Sequence, residues 1–286
     1  MFTKPNLNVD LNSHNFVEIT NQMRRDILNM TTIAGSGHPT SSLSGVELMI
    51  GLFFGNNFFK CDYSDFENSN NDRIIFSKGH ASPLFYSLYK ALGLISEDKL
   101  MTFRRFESNL EGHPTSRFKF TEATTGSLGQ GLGIGLGIAL ANRLDESDAT
   151  TWVLLGDSEM AEGSVYEALE LASHYKLNNL IGIIDLNRLG QRGETLTGWN
   201  LNIIENKINA FGWNTVVIEG GNDIKQVIQG LKKTKELQVS TLNPTMIIAK
   251  TKKGAGISFL EDQEGWHGKV LNKNQLDKAL EELSAN

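Results

Sequence analysis

TWVLLGDSEMAEG at residues 151–163, followed by LIGIIDLN at 180–187, is the stretch that decides the fold of this chain. Each segment opens with a short unbroken apolar run, too short for a helix of ordinary length and typical of a strand buried on both faces. Between them, Ala161 to Tyr175 reads as a helix. Strand, helix and strand of this kind form the unit of a parallel sheet covered on both sides. Downstream the alternation continues, with strands at 213–219 (WNTVVIE) and 245–250 (TMIIAK) around a helix from Ile224 to Leu237. Upstream, RIIFS at 73–77 reads as a short buried strand. Helices are expected at 14–34, 43–54, 82–92 and 97–105, and from about Asn274, where Leu276, Leu280 and Leu283 share a face. The expected fold class is α/β, a parallel sheet flanked by helices on both faces. It forms a single domain over 1–286, with 1–12 flexible and 272–286 a C-terminal helix.

Composition narrows the function. Lys and Arg number 27 against 33 Asp and Glu, a net charge of −6, and a nucleic-acid binder would show a basic excess or stripe. A single cysteine, Cys61, cannot form an internal disulfide and fits a reducing compartment, here the cytoplasm. Met1 to Asn15 carries neither an apolar signal core nor an arginine-rich amphipathic pattern. The longest apolar stretch, GLGIGLGIALA at 131–141, is far short of the ~20 residues that cross a membrane. It contains no GxGxxG register, so it is not a dinucleotide fingerprint. Its expected form is a buried helix whose small residues let another backbone approach.

In a parallel sheet, ligands bind outside the carboxyl ends of the strands. Asp157 follows the first decisive strand, with Ser158 and Glu159 opening the next turn; Asp185 and Asn187 close the second. A lone aspartate at such a position is usually a helix cap. Paired with Asn187 on the neighbouring strand, it offers hard oxygen ligands suited to Mg²⁺ or Ca²⁺, beside a helix N-terminus that can receive phosphate oxygens. Four of six histidines abut a glycine: His38, His80, His113 and His267. Two lie in the identical pentapeptide GHPTS, at 37–41 and 112–116. Glycine permits close approach, proline fixes φ, and imidazole titrates near neutrality, which suits rings held rigidly in a pocket. His14 and His174 have no such setting and read as structural.

GDSEMAEG, then a helix, a strand and IIDLN, resembles the diphosphate-binding motif of thiamine-diphosphate enzymes. With AGSGHPTSS, FSKGHASPLFY, GHPT, TTGSLGQGLG and the late WHG, the chain resembles the N-terminal half of transketolase from about Asn21 to Leu283. It departs from the family pattern at Ser158 and Thr40, where glycines are usual, and in Asp185-Leu186-Asn187. The resemblance implies a thiamine-diphosphate-binding fold with thiamine diphosphate and a divalent metal as cofactors. Asp157, Asn187 and the carbonyl of Leu189 would hold the metal. The Ser158 N–H, His80 and His267 would meet the diphosphate end, and Gly126 and Leu128 the aminopyrimidine. His38, His80, His113 and His267 would surround the reacting carbon and the donor hydroxyls. Thr40 would narrow the space beside His38. Glu162 would sit at the subunit contact, in the carboxylate network between paired sites.

In this family a glutamate on a separate pyrimidine-binding domain activates the cofactor, and no second α/β pattern follows the first in this sequence. The chain is therefore expected to be one subunit of a two-subunit ketol transferase, two copies of each, acting on a sugar or sugar phosphate. The partner would be a separate C-terminal transketolase-like chain. Other readings remain open at this point. They are a subunit of a 2-oxoacid-decarboxylating or deoxyxylulose-phosphate synthase-like enzyme, a non-catalytic relative, and a generic nucleotide-binding dehydrogenase, which the missing GxGxxG disfavours.

Overall fold

The computed structural model describes residues 13–285, so the expected flexibility of 1–12 lies outside the described residues. In chain order the elements are α1 (Ser13–Ala34), α2 (Pro39–Leu43), α3 (Val46–Phe54), β1 (Arg73–Phe76), α4 (Ser82–Ala91), α5 (Glu97–Leu100), α6 (Gln130–Leu144) and β2 (Thr151–Gly156). There follow α7 (Gly163–His174), β3 (Leu180–Leu186), α8 (Leu201–Ala210), β4 (Asn214–Ile218), α9 (Ile224–Ser240), β5 (Thr245–Lys250) and α10 (Lys273–Ala285). The five strands are all parallel, in the order β1-β2-β3-β5-β4.

Successive side chains of a strand point to opposite faces, and both faces are buried here. Trp152 and Leu154 pack under α1, α3, α4 and α9, while Val153 and Leu155 pack under α6, α7 and α8. All six residues of β2 and all seven of β3 are buried. Hence the unbroken apolar runs. Register places Gly156 opposite Asp185, so β2 and β3 end level and the residues just beyond them share one rim.

Several expectations need correction. The helix expected over 97–105 stops at Leu100, because the chain closes into turns through Thr102, Phe103 and Arg105, and Arg104 adopts φ +59°. The helix at 130–144 is buried along one face only. An added Cβ at Gly131 would collide with the Ser77 side chain, and one at Gly135 would lie 2.6 Å from Val153, so these glycines bring α6 onto β1 and β2. Gly133 and Gly137 instead face open space. The strand read as LIGIID at 180–185 runs one residue further, to Leu186, leaving Asp185 inside β3. Two helices were not expected, α2 and α8. In α8, Leu201, Ile204 and Ile208 form the buried stripe, a helical period diluted by the asparagines and charges around it.

Candidate functional site

Beyond β2, Asp157 caps a single 3-10 turn, Ser158–Ala161, its carboxylate accepting from the Ser158 N–H at 2.8 Å. The other oxygen, Oδ2, is buried without a hydrogen-bond partner. Burial outweighs the pull of Lys78 and raises the pKa of Asp157 to about 6. A desolvated carboxylate oxygen with no donor is a place for a cation. Asn187, just past β3, is buried, and its Oδ1 accepts from the Leu189 N–H at 3.2 Å. The oxygens of Asp157, Asn187 and Leu189 are of the kind that divalent cations prefer, and the expected metal set fits the residues present. The Ser158 N–H, expected to face a phosphate, is instead turned to its own neighbour's carboxylate.

Lys253 was not expected here. Its Nζ reaches the carbonyl of Leu189 at 2.8 Å, that of Gly190 at 3.2 Å and Nδ1 of His267 at 2.9 Å. An ammonium thus stands on the carbonyl assigned to the metal. Burial, then the nearby charge of Lys78, lowers the pKa of Lys253 to about 8, and the group remains mostly protonated at neutrality. As donor it requires His267 Nδ1 to be the acceptor, which places the ring proton on Nε2. Lys78, also buried, pairs with Asp185 at 2.6 Å and reaches the Ser44 hydroxyl at 3.3 Å. Asp185 further accepts from Ser44 at 2.6 Å and from the Thr251 hydroxyl. This explains a carboxylate inside β3 that holds the frame and is not free to bind metal.

Three of the four expected histidines form a triangle. Ring centroids of His38 and His80 are 5.2 Å apart, those of His38 and His267 5.0 Å, and those of His80 and His267 5.4 Å. Burial and the surrounding cations favour the neutral rings. His38 falls to about 4, His267 to about 3, and His80 lies well below the ordinary histidine range. His38 Nδ1 is buried and partnerless. His113 stands apart against Gly126, where an added Cβ would meet its ring at 3.0 Å. Its pKa is lowered by burial and by Arg104. Among the described residues no three His, Cys, Asp or Glu side chains converge as metal ligands, the histidine triangle included. Thr40, expected to narrow the space beside His38, is fully buried in α2. Its hydroxyl donates to the Trp266 carbonyl at 3.2 Å and its carbonyl accepts from the Gly254 N–H at 2.9 Å, tying α2 to the segments that carry His267 and Lys253.

The loop with Gly126 (φ +139°) and half-buried Leu128 leads into α6. Buried Glu159 joins it to the strand ends, accepting from the Gly129 N–H at 2.8 Å, the Gly156 N–H at 3.0 Å and the Ser77 hydroxyl. Glu162 is exposed at the start of α7, its side chain beside Gly129. Residues missed by sequence reading were thus Lys253, Lys78 and Glu159. Each lay within a motif already quoted or next to a strand end (SKGH, GDSE, and KTKKG after β5), and proximity to strand ends was the one signal that could have found them.

Comparison with known proteins places this architecture. Residues 17–286 match the family model described as transketolase, thiamine diphosphate binding domain. The chain is 40% identical over 267 residues to transketolase from Homo sapiens, covering 93% of this chain and 41% of that one. It is 33% identical over 261 residues to a protein from Phocaeicola vulgatus named as one of the subunits of an apulose-4-phosphate transketolase, covering 91% of each. Among solved structures it is similar to transketolase from Campylobacter jejuni (TM-score 0.84, 30% identity, covering 94% of this chain and 42% of that one). It spans about two-fifths of the full-length transketolases it matches.

Proposed function

The chain belongs to the transketolase family through its thiamine diphosphate-binding domain, and from that premise we propose that it is the diphosphate-binding subunit of a two-chain transketolase. The observation that carries this reading is its similarity, over 91% of both chains, to a relative that is itself named as one subunit of such an enzyme. That name points to a phosphorylated sugar for the relative, and we extend the class, a ketose or aldose phosphate, to this chain. The reaction is transfer of a two-carbon ketol unit. The partner supplies the pyrimidine-binding half, and two copies of each chain close a symmetric assembly. A cytoplasmic setting fits a chain whose one cysteine is free and buried.

When bound, thiamine diphosphate supplies the electron sink for the carbanion left as the carbon–carbon bond breaks. Asp157, Asn187 and the Leu189 carbonyl would hold a divalent cation, whose charge would offset that of the diphosphate. Lys253, whose ammonium rests on the Leu189 carbonyl, would have to leave it for a cation to bind there. His38 and His80, which burial holds in the neutral form, can take protons from sugar hydroxyls and return them, whereas His267, its Nδ1 accepting from Lys253, can only donate. His38 offers its partnerless Nδ1, and His267 its Nε2–H. Because His38 and His113 sit in the two GHPTS segments and not beside the GDSEMAEG motif, His38→Ala and His113→Ala are each expected to lower turnover about 100-fold, the lower range for a lost proton-transfer group. Thiamine-diphosphate affinity should stay within a few-fold. Steady-state kinetics with calorimetry on the same variants distinguishes this from a cofactor role, in which affinity falls and turnover at saturation does not.

The assembly itself is tested by size-exclusion with light scattering and a ketol-transfer assay, with and without a candidate pyrimidine-domain chain. The single chain should be inactive. The mixed species should contain both chains, be active and be strengthened by cofactor through mass action. Full ketol transfer by the purified single chain would overturn the two-chain reading.

A further inference from the structure

Arg188 lies between Asn187 and Leu189, two of the three residues assigned to the cation, and closes a tight hairpin at its base. The Thr195 N–H donates to the Arg188 carbonyl at 2.7 Å, the Gly190 N–H to the Gly193 carbonyl at 2.8 Å, and Leu189 pairs with Glu194 across the turn. Arg188 holds φ +62°, a conformation costly to a side-chain-bearing residue and kept only where its surroundings enforce it.

Those surroundings belong to a second closed loop. The Asp262 N–H donates to the Lys253 carbonyl at 2.8 Å, closing residues 253–262, and Asp262 also has a positive φ, +57°. A bidentate fork joins the two loops at their bases. Arg188 Nε donates to Asp262 Oδ1 at 2.9 Å and its Nη2 to Oδ2 at 2.8 Å. Two parallel bonds fix orientation as well as distance, which a lysine in the same place could not do. The Arg188 guanidinium also lies 4.9 Å from the centroid of the Trp199 ring. That ring is itself pinned, its Nε1–H shared between the carbonyls of Leu186 and Thr251 at 3.1 Å each, at the ends of β3 and β5. The ion pair is open enough, at 22% and 27% side-chain exposure, that its contribution to overall stability is small. Its consequence is local: it sets the backbone on which the Leu189 carbonyl is carried.

We propose that Arg188 and Asp262 are positioning residues for the divalent cation, their fork holding the Leu189 carbonyl where a cation would meet it. The proposal rests on the cofactor reading above and adds to it two residues that act through the metal-binding loop. The fork constrains backbone only, so the Lys253 side chain is left free to vacate that carbonyl.

The probe is Mn²⁺, a cation of the same oxygen-seeking class, titrated into the full chain with saturating thiamine diphosphate and read as free Mn²⁺ by electron paramagnetic resonance. Acting only as bare charges, the two residues would have opposite effects: Arg188→Met would tighten cation binding and Asp262→Asn would weaken it. Acting as a clasp, both changes should weaken Mn²⁺ binding, by about 10–100-fold, the range for outer partners of metal ligands. Arg188→Lys keeps the charge without the fork and should still lose several-fold. The thermal midpoint of the metal-free chain should stay within about 4 °C of the parent in Arg188→Lys and Asp262→Asn, as expected for an open pair. If Arg188→Met misfolds, Arg188→Lys decides the matter. Unchanged or tighter Mn²⁺ binding in any folded variant would overturn the clasp, as would a larger midpoint fall in Arg188→Lys, which would make the pair merely structural. Failure of the unaltered chain to bind Mn²⁺ with thiamine diphosphate would overturn the cofactor reading and the clasp together, whereas binding that no variant changes would overturn the clasp alone.

Discussion

Asp157→Ala is expected to abolish metal-dependent binding of thiamine diphosphate, with calorimetry in Mg²⁺ showing a loss of ~100-fold or more. Removing only an outer partner of a metal ligand typically costs 10–100-fold, and Asp157 is the one carboxylate proposed to touch the cation. Its Oδ2 is already desolvated and without a donor, and burial has raised its pKa to about 6. A cation there relieves a cost the folded chain already bears. As pH falls through 6, Asp157 takes up a proton and the cation loses its charged ligand, so cofactor affinity should fall with it. Asp157→Asn retains the shape and an oxygen but not the charge, and should bind more weakly than the parent and better than the alanine variant. Unchanged affinity in Asp157→Ala would remove Asp157 from the site.

The second large effect is structural. Lys78→Met is expected to lower stability by ~3–5 kcal/mol, because it strands the Asp185 carboxylate in the middle of the fold. The pair is nearly inaccessible, with side-chain exposures of 3% and 1%. After the change Asp185 retains, among the described residues, the Ser44 and Thr251 hydroxyls as side-chain partners. At ~2–4 °C per kcal/mol for chains of this size, thermal unfolding followed by circular dichroism should show a midpoint about 10 °C lower. Lys78→Met combined with Asp185→Leu should recover much of that loss, since a buried pair replaced by apolar groups is often neutral while a broken one is not. A midpoint unchanged in Lys78→Met would mean that Asp185 is compensated by some other group.

The α/β class, the parallel sheet and the ends of β2 and β5 were legible in the sequence. TWVLLG and TMIIAK coincide with β2 and β5 to the residue, because strands buried on both faces must be apolar at every position. The position of Asp157 and Asn187 just beyond two adjacent strands was legible for a related reason, since the strand ends follow from the apolar runs; it made them the candidates to hold a ligand at the rim. The four glycine-flanked histidines were legible as a set. Their division into a triangle of three with His113 set against Gly126 was not, because it depends on how α2, the turn after β1 and the segment after Gly265 meet in space. The same limit hid Lys253, since nothing local marks a lysine shortly past β5 as the one whose ammonium will rest on the Leu189 carbonyl. It also left Asp185 ambiguous between ligand and scaffold until Lys78, far earlier in the chain, was seen beside it. Periodicity and strand ends are properties of a chain's neighbours in sequence, which sterics and burial impose locally. The pairing of a buried charge is decided by whichever groups the tertiary fold brings within hydrogen-bonding distance, and only the folded structure contains that distance.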